Sequence, residues 1–342
     1  MIPPLHGDTT ILDRTELWAG KSIEEIANYR LSLVRGTFAM NVHDVVGRYI
    51  ENLQELAMSA RPVESEATFE KKPLADMELE KEIRLNTETA PFGPAAPLKT
   101  FKALSLSADQ RIETAHYDKD LKASDAIIEL YKRGVETSSI HKVLSVGMLG
   151  LKKNRKLVPT RWSISATDDI ISGKIAKENE SNVSIDLFEV TQYSHLANYY
   201  SVVLMPDEVW SFELMESWFT SNGQIATSVD YEDARGLDHY PTTAGAYFAA
   251  RLSVAEHLAR RQRKAAAIVL REIHPEYVMP LGVWQIREGV REALKKPANK
   301  FENLELALSF ASAGMSLSKQ EIARQSRMWH ALKNQTRITD FA

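Results

Sequence analysis

The sequence predicts an α+β fold with a helical N-terminal part, a central antiparallel sheet and closing C-terminal helices. Apolar residues in the first third of the chain recur every three or four positions, whereas the middle carries alternating runs rich in β-branched and aromatic residues. The 342 residues suffice for two domains or one large one, and 44% hydrophobic with 26% charged residues is the ordinary globular composition. The composition therefore excludes a fibrous or wholly disordered protein.

The N-terminal helices are predicted from capping residues and helical spacing. Ser22, with acidic residues in the next turn, predicts a helix that starts at Ile23, and a second apolar stripe predicts a helix over 42–59. Residues 62–104 hold five prolines and a dense acidic run, which favours an extended surface connection. Further helices are predicted over 123–133 and 136–144.

The period of the pattern changes in the middle of the chain. Alternation predicts strands at 161–165, 183–190 and 202–205, and a short apolar run predicts another at 267–273. Asn222-Gly223 is a turn signal. The remaining predicted elements are helices, which cover 245–264, 283–294, 304–313 and 319–331.

Several functional classes are excluded by what the sequence lacks. Zero cysteines rule out disulfides, thiolate zinc sites, iron–sulfur clusters and cysteine nucleophiles. The Gly-rich phosphate loops and the G-x-S-x-G elbow do not occur, and the histidines show no metal-ligand spacing, so no metal site is predicted and no cofactor can be named. The absence of a long apolar run or a signal-like start favours a cytoplasmic protein.

The last residues form a candidate docking peptide. Gln335, Ile338 and Phe341 match the sliding-clamp-binding pattern of a glutamine, an aliphatic residue and aromatic residues, although Ala342 stands where the full pattern has a second aromatic. In a 3₁₀ turn, residues three apart share one side, so Ile338 and Phe341 would enter one apolar pocket. The alternative is an accidental match in a C-terminal tail.

A basic cluster precedes the predicted strand at 161–165. Six cations and no acid occur between His141 and Arg161, in a chain whose net charge is −4, so any attraction to nucleic acid must be local. The predicted phosphate contacts are Lys152, Lys153, Arg155, Lys156 and Arg161. A second basic run, 260–264, ends a predicted helix, where the helix dipole favours cations in any case. A solvated loop is the alternative for 152–156.

Weaker candidates for catalysis lie beside the predicted strands. Asp168 and Asp169 could hold a divalent ion, and His274, flanked by Glu272, could act as a general base, with Arg161 as an anion clamp. The structural alternatives are equally simple. The two aspartates could begin a helix, and His274 before a proline could form a turn.

Several strings along the whole chain resemble the archaeal Nre family of DNA repair proteins. The matching segments are 7–13, 18–36, 91–99, 144–169 and 271–288, together with the clamp-like tail. The resemblance implies a role in DNA repair and recruitment by the archaeal sliding clamp PCNA through Gln335, Ile338 and Phe341. It also implies an N-terminal and a C-terminal conserved region, which we place at 1–225 and 226–333, followed by the tail 334–342. The cysteine-containing zinc segment of many members has no counterpart here, and the resemblance identifies no catalytic residue.

Three functional hypotheses follow. The first is a clamp-associated DNA repair factor that binds DNA through 152–161. The second is an enzyme that acts on nucleic acid or a nucleotide, with Arg161, Asp168, Asp169, Glu272 and His274 around one pocket. The third is a scaffold that contacts only proteins. Geometry separates the first two, because an enzyme needs those side chains within reach of one ligand.

Overall fold

The structure is a computed structural model with two compact units. It describes residues 8–73, 93–104, 106–237, 239–278 and 281–334. The first unit consists of Met1–Ile171 and Val278–Gly282, and the second of Ser172–Tyr277 and Val283–Ala342. The predicted α+β class is confirmed.

Short helices form most of the first unit. They are α1 (Thr10–Asp13), α2 (Ile23–Leu31), α3 (Arg48–Met58), α4 (Gln110–Tyr117), α5 (Ala123–Lys132) and α6 (Thr137–Ser145). The predicted cap of α2 is present, since the Ser22 side chain accepts from the Glu25 amide and the Glu25 carboxylate accepts from the Ser22 amide. Helix α3 begins six residues later than predicted, directly after Gly47, whose φ of 125° favours glycine.

A small sheet corrects the prediction of an extended surface connection over 62–104. Its strands are β1 (Arg35–Thr37), β2 (Ser65–Phe69) and β3 (Ala95–Ala103), in the order β1-β3-β2. Strand β3 pairs parallel with β1 and antiparallel with β2. Ala96 and Leu98 are buried while their neighbours Ala95, Pro97 and Lys99 are exposed, which is the alternation of a half-buried strand. The prolines and acids around it hid this short signal.

Helix α7 (Thr160–Asn179) corrects the predicted strand at 161–165. The side chains it buries are spaced for a helix, but most of them are polar: Ser163, Thr167, Asp168, Ile171 and Ser172 are 0% exposed. A buried stripe made of serine, threonine and aspartate gives no hydrophobic periodicity. The short alternation of Trp162 and Ile164 with polar neighbours therefore predicted the wrong element.

A six-stranded sheet organises the second unit. The strands of this unit are β4 (Val183–Ser184), β5 (Phe188–His195), β6 (Asn198–Met205), β7 (Phe212–Phe219), β8 (Ile225–Glu232), β9 (Arg263–Lys264), β10 (Ala266–Ile273) and β11 (Asn299–Phe301). The order of the large sheet is β11-β5-β6-β10-β7-β8, while β4 and β9 form a separate pair. All neighbours in the large sheet are antiparallel except β10 and β7, which are parallel. Both predicted regions, 1–225 and 226–333, contribute strands to it.

Both faces of this sheet are covered by helices. The helices are α8 (Gly245–Arg261), α9 (Trp284–Leu294), α10 (Leu304–Ala311), α11 (Lys319–Gln325) and α12 (Arg327–Asn334). Val202 and Leu204 of β6 pack with α8 and α9 on one face, whereas Val203 and Met205 pack with α10, α11 and α12 on the other. The central strands are therefore nearly continuous apolar runs, as a sheet buried on both faces requires.

The described helices are short or polar relative to a lipid bilayer. None of them has both the length and the apolar composition needed to cross one.

A close contact between α9 and the sheet generates the first prediction. A Cβ atom on Gly289 would lie 2.3 Å from Cε2 of Tyr200, whose ring is 2% exposed and whose hydroxyl donates to Gln285. We expect Gly289→Ala to destabilise the protein by about 1–2 kcal/mol, because overpacking outweighs the better helix propensity of alanine. Chemical denaturation measures the change.

The matched control for this variant is Gly173→Ala in α7. The nearest atom to its added Cβ would be Nη2 of Arg251 at 3.9 Å, so the added methyl group makes an ordinary van der Waals contact without a clash. This variant should be neutral or more stable by up to about 1 kcal/mol. Equal or higher stability for Gly289→Ala than for the wild type would contradict the close-packing argument.

Candidate functional site

The basic cluster lies on the surface of the first unit. Lys152, Lys153 and Lys156 are exposed, and Arg161 is exposed in the first turn of α7 next to Trp162, which is 57% exposed. We refer to Lys152, Lys153, Lys156 and Arg161 as the basic loop. A helix N-terminus carries partial positive charge, so the start of α7 adds to the attraction of the loop for phosphate.

Arg155 has a different role from the lysines beside it. Its Nε donates to the carbonyl of Gly150 at 2.8 Å, and its Nη2 donates to the carbonyls of His116 at 2.7 Å and Asp118 at 3.1 Å. Burial lowers the pKa of the Arg155 guanidinium, and it also lowers the pKa of His116, whose Nδ1 lies 3.2 Å from Nη1. Arg155 thus fastens the loop to the end of α4.

Asp168 is buried in the middle of α7 and lies beside a histidine. Its Oδ1 is 3.4 Å from Nε2 of His141 on α6, and the two side chains are 0% and 7% exposed. The aspartates therefore neither follow a strand nor begin a helix, which corrects both expectations for Asp168 and Asp169. Arg161, seven residues earlier on the same helix, is exposed.

Glu272 and His274 form a pair at the end of β10. Oε1 of Glu272 is 2.8 Å from Nε2 of His274, and the carboxylate also accepts from the backbone amides of Ser316 and Leu317 at 2.9–3.0 Å. Glu272 is 0% exposed and His274 is 24% exposed at its side chain. The buried carboxylate is held by the chain, and it in turn orients the imidazole.

The imidazole of His274 lies between two aromatic rings. The ring centroids of Tyr199 and Phe219 are 4.6 Å and 5.2 Å from that of His274. In the tautomer in which the Nε2–H group donates a hydrogen bond to Glu272, Nδ1 carries no proton and remains an acceptor. Such an imidazole can take a proton from a ligand, which is the geometry of a general base oriented by a carboxylate.

The predicted catalytic residues do not form one cluster within either unit. Arg161, Asp168 and Asp169 belong to the first unit, whereas Glu272 and His274 belong to the second. The structure brings together the last two, and it gives Asp168 a partner that sequence reasoning missed, His141. No group of three or more His, Asp or Glu side chains with metal-site geometry occurs among the described residues. The clamp residues Gln335, Ile338 and Phe341 lie outside the described residues.

Sequence reasoning also missed Tyr199 and Phe219. The position of Tyr199 could be predicted from the register of β6 and β10, which places Tyr199 opposite Glu272. Residues directly opposite each other on paired strands lie on the same face of the sheet. Reading that register requires knowing that the two strands are neighbours. The proximity of Glu272 and His274, by contrast, follows from their spacing of two at the end of β10.

The fold and these contacts define an α+β protein with a sheet covered by helices on both faces, a basic loop and a carboxylate–imidazole pair. Comparison with known proteins places it in a family. Residues 1–222 match the N-terminal region and residues 232–341 the C-terminal region of archaeal Nre proteins, so the chain belongs to the archaeal Nre family.

Three curated relatives support the same membership. The chain is 35% identical to the DNA repair protein NreB of Archaeoglobus fulgidus, over 92% of this chain and 80% of the relative. It is 34% identical to the DNA repair protein NreA of the same organism, over 98% and 83%. It is 32% identical to the DNA repair protein NreA of Haloferax volcanii, over 98% and 81%. No solved structure matches the chain.

Proposed function

We propose that this protein is a DNA repair factor that the sliding clamp PCNA recruits to DNA, and that it contacts DNA phosphates through the basic loop. The observation that carries the repair role is family membership, since the curated relatives named DNA repair proteins match almost the whole chain. Clamp recruitment and DNA contact are finer proposals, which rest on the tail sequence and on the exposed cations.

The tail has the chemistry of a clamp-binding peptide. A glutamine amide suits a polar pocket, while Ile338 and Phe341, three residues apart, present one apolar face in a 3₁₀ turn. The described part of the chain ends with α12 at Asn334, directly before Gln335. Removing 335–342 therefore takes away none of the packing contacts described above.

Deletion of residues 335–342 tests clamp recruitment. We expect the truncated protein to lose measurable binding to the clamp while its melting temperature stays within about 1 °C of the full chain, because the deletion leaves every described packing contact in place. Surface plasmon resonance with immobilised PCNA and a thermal melt measure the two properties. Ala342→Phe should tighten binding, because burial of one aromatic side chain contributes on the order of 1–3 kcal/mol.

The matched control replaces Thr336 and Arg337, which lie between the motif positions, by alanine. This variant should bind PCNA nearly as well as the full chain, whereas Ile338→Ala with Phe341→Ala should bind like the truncation. If the truncated protein bound the clamp as tightly as the full chain, the tail would not be the docking peptide.

The cations of the basic loop are exposed and have no acidic residue near them in the sequence, which favours contact with DNA phosphates. The segment from His141 to Arg161 contains no acidic residue, so the loop is not neutralised by acids within its own segment of sequence. Each phosphate contact made by a lysine or arginine releases a condensed counterion from DNA, and that release makes affinity depend on salt. An exposed aromatic ring such as that of Trp162 can also stack on an unpaired base.

The triple variant Lys152→Ala, Lys153→Ala and Lys156→Ala tests DNA contact. We expect weaker binding to duplex DNA, with the slope of log affinity against log salt reduced by about 0.9 for each lost contact. Arg155 stays unchanged in this variant, because its loss would release three backbone carbonyls and perturb the fold. Fluorescence anisotropy at several salt concentrations gives the slope.

The control removes the same charge elsewhere in the first unit. Lys71, Lys72 and Lys99 are exposed, and their replacement by alanine should leave the slope close to that of the wild type. An identical slope for the basic-loop variant and the wild type would indicate a solvated loop, and the protein-only scaffold would then be the better description.

A second candidate function is catalysis on nucleic acid or a nucleotide, and the Glu272–His274 pair is the observation that favours it. A carboxylate 2.8 Å from an imidazole, beside two aromatic rings, can orient a base toward a bound nucleobase or ester. The exposed fraction of the His274 side chain, 24%, leaves it partly accessible to a ligand.

The variant His274→Ala separates catalysis from structure. If the pair is catalytic, turnover of end-labelled oligonucleotides or nucleotides should fall by about 10²–10⁴-fold with an unchanged melting temperature. His43→Ala, at an exposed histidine of the first unit, is the control and should retain turnover. A lower melting temperature for His274→Ala, with no turnover by the wild type, would assign the pair to structure alone.

A further inference from the structure

A cavity of about 240 Å³ in the second unit has an unusual lining. It lies among β5, β11, the last turns of α8 and the segment after α9. The polar residues that line it are Glu189, Thr191, His257, Arg261, Lys296 and Lys300. It is separate from the Glu272–His274 pair, neither member of which lines it.

The only carboxylate in the lining is already neutralised. Nη1 and Nη2 of Arg261 donate to the two oxygens of Glu189 at 2.5 Å and 2.9 Å, a bidentate pair that also fixes the guanidinium in place. Burial alone would raise the pKa of Glu189, but the bond and charge of Arg261 outweigh it and hold that pKa below its ordinary value. Glu189 therefore stays ionised and serves to position Arg261.

Two lysines supply charge beyond this pair. Nζ of Lys300 is 4.0 Å from Glu189, longer than a hydrogen bond, and its side chain is 61% exposed. Nζ of Lys296 lies 5.6 Å from the ring centroid of Tyr193, and within the described ranges no carboxylate lies within 4.0 Å of it. Three cations against one carboxylate leave the cavity with a net formal charge of +2.

A buried hydroxyl and an imidazole complete the polar lining. Thr191 is 5% exposed, and its Oγ1 has no hydrogen-bond partner in the part of the chain that the structure describes. It lies two residues from Glu189 on β5, hence on the same face of the sheet. Burial, together with Arg261 and Arg260, lowers the pKa of His257 to about 4, so this imidazole is neutral at pH 7 and can donate one N–H.

We propose that this cavity binds a phosphate monoester, either a free nucleotide or the terminal phosphate of a DNA strand. A phosphate monoester carries close to two negative charges at pH 7 and three acceptor oxygens, which match the charge and the donors of Lys296, Lys300 and Thr191. The volume, below the 300–1,000 Å³ or so of pockets for drug-sized ligands, accommodates the phosphate group and leaves the rest of the ligand outside. The site is independent of the clamp tail and of the basic loop.

The test measures phosphate binding by the full chain with isothermal titration calorimetry. The probes are inorganic phosphate and adenosine monophosphate, and the variants are Lys296→Gln with Lys300→Gln, and Thr191→Val. We expect the affinity to fall roughly tenfold or more in each, since a hydrogen bond or contact to a charged group is lost. Thr191→Val should melt at the same or a higher temperature, because it removes a buried hydroxyl that has no hydrogen-bond partner among the described residues.

Two further arms complete the experiment. The control Lys71→Gln with Lys72→Gln changes the net charge equally at exposed positions and should bind phosphate like the wild type. One oligonucleotide with a 5′-phosphate, compared with its 5′-hydroxyl form, isolates the terminal phosphate from contacts of the basic loop. A preference for the 5′-phosphate strand over its 5′-hydroxyl form assigns the site to DNA ends, whereas equal affinity for the two strands together with binding of adenosine monophosphate assigns it to nucleotides.

Two outcomes would overturn the proposal. The first is no binding of any phosphate probe by the wild-type chain at millimolar concentration. The second is binding of equal strength by the wild type, the double glutamine variant and Thr191→Val. If Thr191→Val failed to fold, the double glutamine variant would still decide, because Lys296 and Lys300 are exposed side chains.

Discussion

The second unit depends on the constraint that β10 is buried on both faces and yet carries two adjacent charges. Consecutive residues on a strand point to opposite faces of the sheet, so Arg271 and Glu272 each need their own hydrogen-bonding partners, one group on each face. Arg271 donates to Glu216 and to Gln285 of α9, and Glu272 accepts from the amide of Leu317 ahead of α11. A buried charge without a partner costs several kcal/mol, so these contacts fix the helices on each face in register with the sheet.

That constraint explains which elements were predictable. The strand at 202–205 and the stretch 267–270 of the strand at 267–273 are continuous apolar runs because helices cover both faces, and the structure confirms both strands within β6 and β10. Helix α7 was not predictable from periodicity because its buried stripe is polar, and β3 was hidden among prolines and acids. The pairing of β10 with β7, the one parallel contact of the large sheet, arises from topology, which no local pattern encodes.

The candidate sites, like the elements of the fold, were predictable where their contacts are local in sequence and not where residues from distant segments meet. The contact between Glu272 and His274 could be predicted from the sequence, because the two residues are only two positions apart. Arg155 could not be separated from Lys153 and Lys156, because the carbonyls that hold it come from residues 116, 118 and 150. The phosphate cavity draws on two strands and the ends of two helices, so no run of sequence could mark it.

Charge distribution connects these features to the proposed function. The chain is net acidic, with 42 Lys and Arg against 46 Asp and Glu, so the whole molecule does not attract DNA. At physiological salt the Debye length is about 8 Å, so a bound phosphate is influenced mainly by charges close to it. An acidic protein can therefore bind phosphate where cations are concentrated, as proposed for the basic loop, and the same screening weakens non-specific attraction elsewhere on its surface. Under the proposed recruitment by a clamp, such weak non-specific attraction would be an advantage, because the docking peptide rather than bulk charge would determine where on DNA the protein acts.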